Sequence, residues 1–276
     1  MSVIFSTGFS VNIDPPQYGY TTDVVMNLHP VESADGKTLI WDDGRAYDYR
    51  VCTCEFILDK SDTQNLREAL ESVSKMRDRN CTMQVQSVDD FFPFGPDQSN
   101  NATFDIRILE FADSSTQFTP WQWFRTRVRM LARSLPAYTP AAQFKEGGFF
   151  IGTVSDLRYP QDPFELSFNR GIVNQLTRGG TTITVDRTAE TDAYFNTFGL
   201  ELNEGNMAAL VEYLQTIRGS AFQIDNDESL YPFGVNFDEG NATAINVKNR
   251  ENIISVRHDR FSRWAIDLNF TLDSVV

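Results

Sequence analysis

The sequence predicts a mainly β protein with flanking helices, of the α+β class, laid out as two tandem like domains. Three observations predict it. A strand–helix–strand pattern occurs twice, its matching positions stand 144 residues apart, and each copy leads into a Pro-Phe-Gly turn. A repeat of this length, over 100 residues, is too long for a solenoid unit, so it marks a pair of domains rather than an array.

The second copy is the cleaner. Phe198, Leu200 and Leu202 alternate with polar residues, as in a half-buried strand. Asn203 stands at the helix N-cap position, and Met207, Leu210, Val211, Leu214 and Ile217 follow at helical spacing. Gly219 fits the left-handed position past the helix end, Ala221 to Ile224 reads as a returning strand, and Tyr231 to Gly234 holds the turn with Phe233. In the first copy Cys54, Phe56 and Leu58 lie on a strand, Ser61 and Gln64 spell a capping box, and Leu66, Ala69, Leu70, Val73 and Met76 form the helix stripe. Thr82 to Val85 returns, and Phe92 to Gly95 is the turn with Phe94. Leu66 and Leu210, like Leu70 and Leu214, stand 144 positions apart. The Pro-Phe-Gly turns stand 139 apart, so the first copy is about five residues longer between helix and turn, as surface loops tolerate.

In chain order, a short arm carries a candidate strand from Val3 to Phe5. The copies begin near Pro16 and Pro160, and short strands follow at Thr38–Asp42 and Thr182–Asp186, each after a glycine turn. Asn101-Ala-Thr103 matches Asn241-Ala-Thr243, and Trp123 matches Trp264. The stretch from Trp264 to Leu272 alternates throughout and reads as the last strand. Its partner from Trp123 to Leu131 puts Arg125, Arg127 and Arg129 on one face, either solvated or paired with acidic neighbours. The expected division is residues 1–135 for the first copy with its arm, 136–159 for a connector and 160–276 for the second copy. Phe149 to Ile151 is too apolar for a free connector and is expected to pack across both domains.

With 41% hydrophobic residues and abundant aromatics, the chain can fill two cores. No apolar run reaches the roughly 18 residues that span a bilayer, so no membrane partner is expected. The first residues lack a signal peptide's basic region and cleavage site, which fits a soluble protein made and kept inside a cell. A net charge of −14 argues against a nucleic-acid reader, which needs a basic footprint. Such acidity keeps a protein soluble, and the same electrostatics would let DNA slide past without sticking.

Catalytic and metal chemistry find little support. Cys52 and Cys54 alternate on one strand face and Cys81 lies far off in sequence, so core packing explains them better than a metal site. His29 and His258 stand far apart with no metal or nucleophile pattern, and no phosphate loop is present. The carboxylates at Asp89-Asp90 and Asp225 to Glu228 sit before the turns, which they stabilise. No enzyme, metal or cofactor is expected.

The order of strand, helix, Arg218-Gly219 and Phe-containing strand resembles the core of distal tail and tail-hub proteins of tailed bacteriophages. The resemblance covers about 40 residues of each copy, and the duplication strengthens it. It implies tandem β-barrel or sandwich domains of the tail-tube type, with the strands around Phe198–Leu202 and Cys54–Leu58 as edge strands that form walls together with Trp264–Leu272. The two helices would lie on the barrel surface, and the Pro-Phe-Gly turns would touch neighbouring rings. Its structural and interface residues would be Phe198, Leu200, Leu202, Leu210, Leu214, Trp264, Phe56, Leu58, Leu66, Leu70, Trp123, Phe94 and Phe233. The partners implied are further copies of the chain in a homo-oligomeric ring and the neighbouring tail-tube and tail-tip proteins. DNA would pass through the channel without specific binding. Two domains per chain let three copies present six equivalent positions, joining a six-fold tube to a three-fold tip. The implied location is the phage virion, assembled in the bacterial cytoplasm, and tube, distal ring and hub stay open. With three cysteines the chain is expected to lack the four-cysteine iron–sulfur site of some hub proteins. The alternative is a duplicated β-sandwich module that recognises carbohydrate at a host surface, with Trp121, Trp123, Phe91, Phe92 and Tyr231 as stacking platforms.

Overall fold

The computed structural model describes residues 2–6, 10–16, 19–26, 28–32, 38–42, 49–75, 80–86, 90–114, 123–169, 172–176, 182–186, 193–226, 244–249 and 251–275. It is mainly β, with one large antiparallel sheet and two helices among these residues. The first half runs β1 (Ser2–Ser6), β2 (Ser10–Ile13), β3 (Thr21–Val25), β4 (Leu28–Glu32), β5 (Thr38–Asp42), β6 (Tyr49–Leu58), α1 (Lys60–Lys75), β7 (Asn80–Gln86), β8 (Thr103–Ser114) and β9 (Phe124–Ser134). The second runs β10 (Phe149–Ile151), β11 (Val154–Leu157), β12 (Gln161–Asn169), β13 (Ile172–Leu176), β14 (Thr182–Asp186), β15 (Ala193–Leu202), α2 (Glu204–Ile217), β16 (Ala221–Asn226), β17 (Ile245–Asn249), β18 (Ile253–Arg260) and β19 (Arg263–Val275).

Strand pairing follows one order in both halves. In the first, β2 pairs β1, and the ladder continues through β7, β8, β9 and β6 to β3. In the second, β11 pairs β10, and the ladder continues through β16, β17, β19 and β15 to β12. The separate hairpins β4–β5 and β13–β14 hold the same place in each sequence of strands. The added element is β18, which leaves β19 at a tight hairpin and pairs β3 of the first half, closing one sheet across both.

The strand pairing corrects two expectations. Leu202 faces Trp264 as Leu58 faces Phe124, so the counterpart of Trp264 is Phe124 rather than Trp123. A one-residue slip moves a side chain to the opposite face. Trp264 is accordingly buried and Trp123 is 41% exposed. The strands around Cys54–Leu58 and Phe198–Leu202 are not edges, since β6 lies between β3 and β9 and β15 between β12 and β19. Phe149 to Ile151 is β10, hydrogen-bonded to β16 and β11 of the second half.

Alternation explains the layering. Cys52, Cys54, Phe56 and Leu58 on β6 face the core with Val128 and Met130 on β9, while Glu55, Arg127 and Arg129 face out. Leu200 and Leu202 on β15, and Trp264, Ile266, Leu268 and Phe270 on β19, do the same. Burying apolar area at roughly 25 cal/mol per Å² is what fixes this face inward. Each helix lays one stripe on the sheet: Leu66, Ala69, Leu70 and Val73 from α1, and Met207, Leu210, Val211 and Leu214 from α2.

The cap of α1 is Asp59, not Ser61. Asp59 Oδ1 accepts from the amide of Asp62 at 2.8 Å, and its carbonyl accepts from Thr63 N at 2.9 Å, placing the helix start two residues earlier. Asn203 caps α2 as expected, its Oδ1 accepting from Asn206 N at 3.0 Å. At the other end Arg218 already takes the left-handed conformation (φ 44°), and Gly219 follows it there (φ 81°).

Candidate assembly interface

The halves meet along β18 and β3, in register from Ile253 opposite Val25 to Arg257 opposite Thr21. The ladder is extended at both ends. His258 N donates to Tyr20 O at 3.0 Å and Gly19 N to His258 O at 2.6 Å, while Met26 N donates to Asn252 O at 2.9 Å. From the C-cap of α2, Arg218 Nη2 donates to the Met26 carbonyl at 2.9 Å. The joint is thus built from backbone bonds across the whole length of β3.

Beneath it lies the first Pro-Phe-Gly turn. Phe91, Phe92 and Phe94 are all buried, so this turn is a core plug and not an exposed contact for a neighbouring ring. The same burial removes Phe91 and Phe92 as carbohydrate-stacking platforms. Gly95 carries φ 106°, and a Cβ there would stand 2.9 Å from Asp97 Oδ1 and 3.0 Å from Arg50 Nη1, so the turn requires glycine. Arg50 reaches this turn from β6. It forms a two-pronged pair with Asp97, donates to the Phe94 carbonyl at 2.8 Å, and donates to Gln215 Oε1 on α2 at 2.8 Å. One buried guanidinium therefore holds the turn, its own strand and the helix of the other half.

A second polar cluster adjoins it. His258 is fully buried, with ring centroids 4.5 Å from Trp264 and 5.0 Å from Tyr20, and its Nε2 lies 3.3 Å from Asp90 Oδ1. Tyr20 accepts from Phe92 N at 2.9 Å through its hydroxyl. Burial lowers the His258 pKa below the ordinary histidine value, partly offset by Asp90. A base whose folded pKa is depressed binds fewer protons folded than unfolded, so its contribution to stability is present above the unfolded value, near 6.5, and is lost as pH falls below it. Thermal melts at pH 7.5 and pH 5.5 should therefore differ less for His258→Gln than for the unaltered chain. An identical pH dependence in both would contradict this role.

The other expected site residues fall as follows. Leu200, Leu202, Leu210, Leu214, Trp264, Phe56, Leu58, Leu66, Leu70 and Phe94 are all core. They shape the unit and present no surface. Trp123 is exposed just before β9. The side chain of Phe198, and Phe233, Trp121 and Tyr231 altogether, lie outside the described residues. Cys52, Cys54 and Cys81 are buried, and burial pushes the Cys81 thiol up to about 12.

The outward face of the sheet is polar and mixed in sign. Arg125, Arg127 and Arg129 stand on it beside Glu55, with Arg125 Nη1 3.7 Å from Glu55 Oε1, and Arg257 pairs Asp259 at 2.9 Å. A uniformly acidic surface is thus not what this face presents. A shallow groove of about 470 Å³ runs along α1 between Lys60, Arg67, Glu71 and Phe124, where Arg67 pairs Glu71. Among the described residues no three His, Cys, Asp or Glu side chains gather as metal ligands, and no helix is long and apolar enough to cross a membrane.

The features that sequence reading missed are the β18–β3 joint and the Arg50–Asp97 clamp. Both join residues remote in sequence, and the one available signal was Arg50 and Asp97 flanking otherwise apolar stretches. No protein-family model matches this chain, and no curated protein matches it.

Proposed function

We propose that this chain is a structural protein of a bacteriophage tail, at or near its distal end, and that three copies close into a ring around the DNA channel. The observation that carries this reading is the strand-pairing order, which recurs from one half to the other. On this reading residues 2–134 and 149–275 are tandem copies of one β-barrel or sandwich unit, and the chain offers two near-equivalent wall segments. Three chains then supply six, the symmetry match that a six-fold tube and a three-fold tip need. The resemblance of the strand–helix–Arg218-Gly219–strand core to distal tail and hub proteins supports the same reading. The functional demand is mechanical: a closed, rigid wall past which DNA moves without being held, for which a net charge of −14 is suited.

Mass photometry of the purified chain across a concentration series tests the proposal. A single closed species of fixed stoichiometry is expected. A monomer at every concentration would contradict it.

A further inference from the structure

The β18–β3 contact has a counterpart that the chain does not make. β18 is the outer part of the long arm that pairs β19, and β8 is the long arm that pairs β9. Val256 faces Ile266 and Asp113 faces Thr126. Ile266 and Thr126 are equivalent because Trp264 and Phe124 hold the same register against Leu202 and Leu58. Ile253–Arg257 thus corresponds to Glu110–Ser114. On the receiving side, Thr21 faces Thr53 and Glu165 faces Thr197, so β3 corresponds to β12 and Thr21–Val25 to Glu165–Asn169.

Both arms break at the same level. The register of β8 shifts between Ile108, opposite Met130, and Glu110. In the second half the ladder breaks after Asn249, opposite Phe270, where residues 250–252 separate β17 from β18. Bulges re-aim a strand, and here both arms are re-aimed beyond the same ladder position. The resulting order is β12-β15-β19-β18-β3-β6-β9-β8, and among the described residues β12 pairs only β15 while Glu110–Ser114 pairs only β9. The two ends are the two halves of the contact made in the middle. An uncovered strand edge is a template for another chain.

We propose that Glu110–Ser114 of one chain pairs antiparallel with Glu165–Asn169 of a second copy, from Glu110 opposite Asn169 to Ser114 opposite Glu165, as β18 pairs β3. This rests on the reading of the chain as two like units. The register is chemically consistent. It sets Phe111 opposite Phe168, where Ile254 stands opposite Val24, and Ile254 is buried whereas Phe111 is only half-buried. It puts no like charges directly opposite one another. A slip that sets Asp113 against Glu165 would do so and would also turn the apolar positions to the wrong face. The contact is head-to-tail, the kind that generates rings when its rotation closes.

Engineered cysteines test it. Ala112 and Ser167 are opposite in the proposed register, and their counterparts Ser255 and Asp23 touch, with Ser255 Oγ donating to Asp23 Oδ1 at 2.7 Å. The native cysteines are buried and do not compete. Ala112→Cys and Ser167→Cys chains, unfolded, mixed, refolded together and oxidised, should give a covalent dimer on non-reducing gels, with one bond joining two of the three chains in every mixed ring, while either alone should give none. An Ala112→Cys and Glu165→Cys mixture, off register, should give far less dimer. Asp23→Cys/Ser255→Cys within one chain should form an internal bond, showing that the chemistry works at such a pair. Mass photometry of the same samples separates the two ideas. Closed rings without the Ala112–Ser167 bond, or with the off-register bond equally strong, overturn this pairing and leave the ring standing. Monomers without any bond overturn both.

Discussion

Asp97→Ala is expected to destabilise the protein by about 3–5 kcal/mol, the cost of leaving a buried guanidinium without its carboxylate. Arg50 and Asp97 are each 4% exposed, so water cannot replace the lost partner. The Phe94 carbonyl and Gln215 Oε1 would remain, but both are neutral acceptors and leave the positive charge uncompensated. For a chain of this size the loss corresponds to a drop in melting temperature of roughly 10 °C. Replacing both partners with apolar residues, as in Arg50→Met/Asp97→Leu, should recover much of the loss, because the pair's value lies mainly in not being broken. A double variant as unstable as Asp97→Ala alone would mean that the clamp's bonds to the turn and to α2, and not the charge balance, dominate.

Trp264→Ala should cost a similar amount, about 3–5 kcal/mol, by removing the largest fully buried side chain among the described residues and leaving a cavity. The indole packs edge-on against Tyr20 at 5.9 Å and Phe92 at 6.0 Å, with His258 at 4.5 Å. It therefore touches β18, the segment before β3 and the first turn together, and its loss should loosen the joint as well as the core. Urea denaturation would measure the cost, and Trp264→Phe should retain more than half of the stability that alanine loses. A cost under 1 kcal/mol would show that the site collapses freely, contrary to a close-packed joint.

How much of this was legible in the sequence follows from the range of each interaction. The alternation from Trp264 to Phe270 and the helical stripes of Leu66–Leu70 and Leu210–Leu214 are local patterns, and the structure places them as read. Residue type matches Trp123 to Trp264, yet alternation with Val128 and Met130 aligns Phe124, because a strand's period of two outranks residue identity. The first Pro-Phe-Gly spells a turn, but nothing local says that Arg50, over 40 positions earlier in the chain, pulls it into the core. Ser61 reads as a cap because its capping box is complete. Asp59, two residues earlier, wins by accepting from Asp62 N first. The joint itself pairs β3 with β18, more than 200 residues on, and no periodicity encodes which two strand edges meet. The edges left over, β12 and the outer part of β8, were equally invisible.

The measurement that tests the central claim most directly is negative-stain imaging of the purified protein, with class averages sorted by symmetry. The account predicts hollow rings of three chains with six density lobes. Lone bilobed particles, with no ring at any concentration, would contradict it.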